Sequence, residues 1–189
     1  MKPLRITAPA EPVVTPDAAK LQLRVDGTDE DTLIEGLIAA ATAHLDGIEG
    51  VMGRCIVTQE WAQSFDRLSG DVVLPFPDVQ TAAITYSDTA GDPQTVPVDD
   101  YRLHQVYGGS VLGLVSGAAW PQGASDDREA FTVTFTAGFG NAAAVPASIK
   151  HAILMLVAHW YENREAVGKA EALPMAFHAL IAPYRPQVV

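Results

Sequence analysis

Cysteine is almost absent: Cys55 is the only one in 189 residues, so no disulfide can form within the chain. One small thiol beside apolar neighbours suits core packing better than nucleophilic catalysis, and a reducing cytosol is the expected compartment. Long hydrophobic runs are missing as well. The longest, Ala152 to Ala158, is far below the roughly 20 residues that a membrane span requires. No apolar stretch follows the charged start Met1-Lys2-Pro3-Leu4-Arg5, so neither a span nor an export signal is expected. Basic residues are scarce: 12 Lys and Arg stand against 23 Asp and Glu, a formal net charge of -11. That balance repels phosphate at long range and argues against a nucleic-acid reader that docks by counterion release. It would suit a surface past which DNA slides, and equally it serves solubility.

What is present is an ordinary globular composition. Hydrophobic residues make up 48% and charged residues 19%, and a chain of this length buries roughly 70% of its unfolded surface, enough for a self-sufficient core.

The first dozen residues hold Pro3, Pro9 and Pro12, a pattern that resists helix and predicts an extended arm over 1–14, of a kind that usually needs a partner to be ordered. Thr15-Pro16-Asp17 is a helix start: a capping hydroxyl, a proline whose missing N–H costs nothing there, and an acid at the positive end of the dipole. Thr28-Asp29-Glu30-Asp31 starts a second helix by a capping-box-like pattern. Leu33, Leu37, Ala40, Ala41, His44, Leu45 and Ile48 then recur at helical spacing over about 20 residues. The small run Ala39 to Ala43 lets another backbone approach, inside the subunit or from a neighbour.

From Ile56 to Leu68 the rhythm changes to two, with neither face cleanly apolar. Further strands are expected at 71–74, 79–87, 94–98, 101–107, 111–115 and 130–137, parted by turn residues such as Phe76-Pro77-Asp78, Ala90-Gly91-Asp92 and Gly108-Gly109. Helical period returns at Val145-Pro146, carries Ile149, Ile153, Leu156, Val157 and Trp160, and ends near Val167-Gly168. A short segment, Leu173 to Ile181, precedes Pro183 and Pro186. The expected class is α+β: N-terminal helices, a central antiparallel sheet or small sandwich, a C-terminal helix and extended terminal arms. One domain is drawn over 15–168, with a tail bearing a short helix over 169–189.

Few constellations suggest chemistry. Gly138-Phe139-Gly140-Asn141 lies between a strand and a helix, but no following strand completes the βαβ unit that a dinucleotide-binding loop opens. His151, Met155, His159 and Glu162 share a helical face, yet the two histidines are eight residues and about 12 Å apart along a helix, too far to share one ion. His159 with Glu162 is half a metal site. The acidic groups Asp29-Glu30-Asp31, Asp99-Asp100 and Asp126-Asp127 suit helix starts and turns and lack the alternating spacing of a calcium loop. Ser64, Ser110, Ser116 and Ser125 lack a Gly-x-Ser-x-Gly elbow. Neither a cofactor nor an enzymatic activity is expected.

Taken in order, several pieces resemble the tailed-phage head-tail connector (adaptor) family, found in phages, prophages and gene transfer agents. They are Val14-Thr15-Pro16-Asp17, the acidic start Asp29-Glu30-Asp31 with Leu33-Ile34, Gly53-Arg54 and Gln59-Glu60-Trp61. Leu74-Pro75-Phe76-Pro77, Trp120-Pro121 and Phe135-Thr136-Ala137-Gly138-Phe139-Gly140 follow. The most specific piece runs from Val145-Pro146-Ala147-Ser148-Ile149-Lys150 to His159-Trp160-Tyr161-Glu162-Asn163-Arg164-Glu165, and the match covers about residues 13 to 167.

The resemblance implies a structural subunit that forms a ring, commonly of twelve, beneath the portal, and joins the DNA-filled capsid to the tail. Its implied partners are the portal protein, neighbouring subunits and a tail-side neck or terminator protein. DNA passes through the lumen without specific binding, and no membrane is involved. Assembly would take place in the bacterial cytoplasm, after which the subunit resides in the neck of a virion or phage-like particle. The tail 173–189 would reach into the portal, which marks Leu173, Phe177, Tyr184 and Arg185 as partner-binding candidates. Tyr161, Glu162, Asn163 and Arg164 would either join a neighbour by polar contacts or anchor the helix end within the subunit. Two other readings stay open: a neck or tail-completion protein on the tail side, and a small metal-dependent enzyme using His159 and Glu162.

Overall fold

The computed structural model describes residues 2–163 and 175–185. The helix end beyond Asn163, with Arg164 and Leu173, lies outside the described residues. Among the described residues eight strands and four α-helices follow one another as β1 (Leu4–Thr7), α1 (Pro16–Leu23), α2 (Asp31–Leu45), β2 (Gln59–Phe65), β3 (Val72–Leu74), β4 (Val79–Ser87), β5 (Pro93–Thr95), β6 (Tyr101–Val106), β7 (Gly109–Leu114), β8 (Phe131–Ala137), α3 (Ala147–Glu162) and α4 (Met175–Ile181). The fold is α+β, and every strand pairing among the described residues is antiparallel. The chain groups into two compact units, Met1–Ala10 with Thr58–Gly138 and Glu11–Val57 with Phe139–Val189.

The first unit is all β. A five-stranded sheet has the order β1-β2-β8-β4-β5 and a three-stranded sheet the order β3-β7-β6. β8 is central because its sequence FTVTFTA alternates strictly: Phe131, Val133, Phe135 and Ala137 are buried, while Thr132, Thr134 and Thr136 face outward. On the inner side Phe76 packs 4.9 Å from Trp61 and 6.2 Å from Phe135 between ring centroids, joining the loop after β3 to the large sheet. The small sheet is tied to β4 by polar side chains: the Tyr101 hydroxyl donates to the Ala82 carbonyl at 3.1 Å and Gln105 Nε2 to the Val79 carbonyl at 2.8 Å.

β1 differs from the expected free arm. Leu4 pairs with Ala62 and Arg5 with Trp61, with a register shift before Thr7 meets Glu60. The partner that orders this segment is the chain's own β2, whose ladder groups on that side would otherwise be unpaired.

The second unit is helical. Ile34, Ile38, Ala41 and Leu45 of α2 and Ile149, Ala152, Ile153, Leu156 and Val157 of α3 form its core with Ala19, Met52, Ile56, Phe177 and Ile181. α1 begins as expected, with Thr15 Oγ1 accepting from the Ala18 N–H at 3.2 Å. α2 is shorter than its periodicity predicts. The capping box does not form: its N-cap is Glu30, with no side-chain bond to the helix. At the other end Asp46 leaves helical geometry and its Oδ1 accepts from the Ile56 N–H at 2.7 Å. The Gly47 N–H donates to the Arg54 carbonyl at 2.8 Å, and Gly50 lies so close that a Cβ there would sit 2.4 Å from the Leu45 and Asp46 backbone. In the alanine run, Ala41 is buried while Ala39, Ala40 and Ala43 are exposed.

Candidate interaction surfaces

The described residues among those marked as partner-binding fall on two segments of the helical unit. At the end of α3 the Tyr161 hydroxyl donates to the Glu30 carboxylate at the start of α2, a tie that joins positions 131 apart in sequence. Glu30 is thereby used across the unit rather than in a capping box, and neighbouring Asp31 pairs with the Lys20 ammonium of α1. Asn163 closes the helix: its backbone N–H reaches the His159 carbonyl at 3.0 Å and its Nδ2 donates to the same oxygen at 2.8 Å. Glu162 is exposed. Tyr161 and Asn163 thus have anchoring contacts within the subunit, and the Glu162 side chain is exposed beside them.

The second segment is α4 with the short turn Ala182–Tyr184. Phe177 is 1% exposed and Ile181 is fully buried, so this segment lies on its own unit by an apolar face. Tyr184 is half-buried; its hydroxyl accepts from Ser148 Oγ at 3.0 Å, and its ring meets Phe139 edge-on at 6.0 Å. The Arg54 guanidinium carbon lies 5.3 Å from the Phe139 centroid and 5.9 Å from that of Tyr184, within cation–π range of both. Arg185 is exposed. The clustering of Arg54, Phe139 and Tyr184 is not visible in sequence, since the three lie on three separate loops and turns; only the Gly53-Arg54 and Gly138-Phe139-Gly140 pieces hinted at constrained positions.

The strand exit Gly138-Phe139-Gly140 has φ values of 136° at Gly138 and 119° at Gly140, a backbone available to glycine, and a Cβ on Gly140 would meet Ala144 Cβ at 3.2 Å. It leads from an antiparallel strand, not into a parallel βαβ unit. On α3, His151 is exposed and His159 lies beside Asn163, at 3.5 Å between ring Nδ1 and amide Nδ2. Among the described residues no three His, Cys, Asp or Glu side chains come together to hold a metal ion. The open cleft lined by Asp66, Arg67, Pro121, Gln122, Ser125 and Asp126 is crossed by an exposed Arg67–Asp126 ion pair at 2.8 Å. In the described residues no helix is long and apolar enough to cross a membrane.

Comparison with known proteins supplies the context for these surfaces. None of the curated proteins matches the chain. Among solved structures, a chain of the "Neck of empty GTA particle computed with C6 symmetry" is 26% identical with a TM-score of 0.82, the match covering 100% of this chain and 97% of that one. A chain of the "Virion of native gene transfer agent (GTA) particle" is also 26% identical over the same shares, with a TM-score of 0.79. A third, from the "Neck of native GTA particle computed with C12 symmetry", has the same fold with a TM-score of 0.74 at 22% identity. A family profile described as Head completion protein matches residues 13–171, most of the length, and the chain belongs to that family.

Proposed function

We propose that this protein is a structural head-tail connector: a subunit that assembles as a ring, of twelve copies, beneath the portal and joins a DNA-filled head to its tail. The observation that carries the reading is the end-to-end likeness, over 100% of this chain, to a chain from the neck of a gene transfer agent particle. Membership of the head completion family agrees with it. The work of such a subunit is binding and sealing, without substrate or cofactor. Its net charge of -11 suits a channel wall that DNA passes without being gripped.

Within this reading the exposed Glu162 and Arg185, and the tail that continues past Arg185, are the candidates for contact with the portal or a neighbouring copy. Tyr161, Asn163, Phe177 and Tyr184 support those positions from inside the unit, and Arg164 and Leu173 belong to the same contact region by sequence. The particle's cytoplasmic assembly is part of the proposal.

The test is mass photometry of the purified protein alone and mixed with the portal protein of the same gene cluster. A portal peak shifted by about a dozen subunits, and restored to its original mass when residues 173–189 are deleted, is the expected result. No shift at micromolar concentration, with binding only to a tail-side neck protein, would place the subunit on the tail side instead.

A further inference from the structure

We infer that the two ends of the five-stranded sheet are complementary docking surfaces, β1 of one copy seating against the β5 end of the next copy of this chain. The inference rests on the ring reading above and names the lateral contact that builds the ring.

At one end stands β1. Its Leu4 and Ile6 are 69% and 56% exposed although they belong to a paired strand, which leaves two large aliphatic side chains in water at the sheet margin. The register shift between Arg5 and Thr7 places Ile6 as the extra residue of a bulge and turns it outward. Lys2 and Arg5 bring two cations to this end, and no acidic residue occurs before Glu11. Arg5 Nη1 also donates to Gln59 Oε1 at 3.4 Å, and Glu60 of β2, a carboxylate on the neighbouring strand, accepts from the Thr7 hydroxyl at 2.9 Å.

The opposite end has the reverse character. Asp88 and Asp92 flank the β4–β5 turn, and Asp99 and Asp100 lie in the short 3-10 turn that follows β5, four carboxylates with no lysine or arginine between positions 88 and 100. The neighbouring cation is Arg102, whose Nη1 donates to the Tyr101 carbonyl at 2.9 Å and, at 3.4 Å, to those of Val98 and Asp99. Val98 is 67% exposed there and offers an aliphatic counterpart to Leu4 and Ile6. The amides of Ala90 and Asp92 and the Gln94 side chain all donate to Asp88, which holds that carboxylate ionised and in place.

Both ends belong to one sheet of one compact unit, and they are different surfaces. A contact between them is therefore heterologous: it repeats from copy to copy instead of stopping at a dimer, and it gives a ring when the rotation between copies closes. The bulge in β1 and Pro93 in β5 interrupt a continuous backbone ladder at each margin, so recognition falls to side chains and open-ended strand addition is suppressed.

The experiment compares ring formation on the portal, by mass photometry, for the unmodified chain, for Lys2→Glu with Arg5→Glu, for Asp99→Lys with Asp100→Lys, and for all four changes together. Each pair alone is expected to weaken ring formation about tenfold at low salt, and the four together to recover it. Thermal midpoints check that each variant is folded. A cysteine pair removes dependence on charge: Leu4→Cys and Thr95→Cys chains, mixed and oxidised on the portal, should form a disulfide-linked dimer that neither chain forms alone. Rings that assemble without the cross-link and without charge dependence would overturn this inference and leave the ring reading intact; failure of the unmodified chain to form rings would overturn both.

Discussion

At the scale of single residues Gly50 is tightly constrained. A methyl group there would need to occupy space 2.4 Å from the backbone of Leu45 and Asp46, and backbone cannot swing aside as a side chain can. Gly50→Ala should therefore destabilise the protein by about 1–3 kcal/mol, measured by urea denaturation. Tyr161 is constrained by polarity instead. Removing its hydroxyl takes a donor from the Glu30 carboxylate, and Tyr161→Phe should cost about 1–2 kcal/mol on the same assay while leaving the α3 core untouched. Neither role is legible locally. Gly50 reads as a frayed helix end, and Tyr161 and Glu30 become partners only when α2 and α3 pack.

At the scale of elements, the β4–β5 hairpin carries a titratable lock. The Asp88 carboxyl is held below its ordinary value of 3.8, first by the Asp92 amide and then by the Gln94 side chain. A carboxyl with a depressed folded-state pKa adds stability that is fully present above the unfolded value and is lost as pH falls through the folded one. Proton titration by NMR should place the Asp88 midpoint below 3.8, and amide exchange at Ala90 and Asp92 should accelerate below that pH. Asp88→Asn should abolish this acid-side change. The other informative element is α4. Phe177 is 1% exposed, and Phe177→Ala should cost about 3–5 kcal/mol by urea denaturation, a loss expected of a core residue and not of a solvent-facing tail. Seven strands and the helices α1 to α3 were readable from alternation, turn residues and caps. β1 was not: four residues between prolines carry too little pattern, and its strand geometry depends on the edge of β2.

At the scale of the whole molecule, charge sets behaviour. A protein of net charge -11 should show no mobility shift with duplex DNA at about 0.15 M salt, because there is no excess of cations to release counterions. A salt-sensitive shift would show a basic surface concentrated enough to overcome that balance. The molecule is also divided in a way its sequence order conceals. Each compact unit takes two stretches of chain, Met1–Ala10 with Thr58–Gly138 and Glu11–Val57 with Phe139–Val189.

The sequence by itself determined most element types and the antiparallel α+β class, because periodicity and capping act over a few residues; the family was legible in it only as a resemblance carried by the order of its motif pieces. Tertiary structure alone decided the order β1-β2-β8-β4-β5, the inward placement of Phe177, the stack of Arg54 on Phe139 and Tyr184, and the tie from Tyr161 to Glu30. Each of these depends on which distant surfaces satisfy one another's apolar area, charge and hydrogen bonds, a choice made only when the chain is folded.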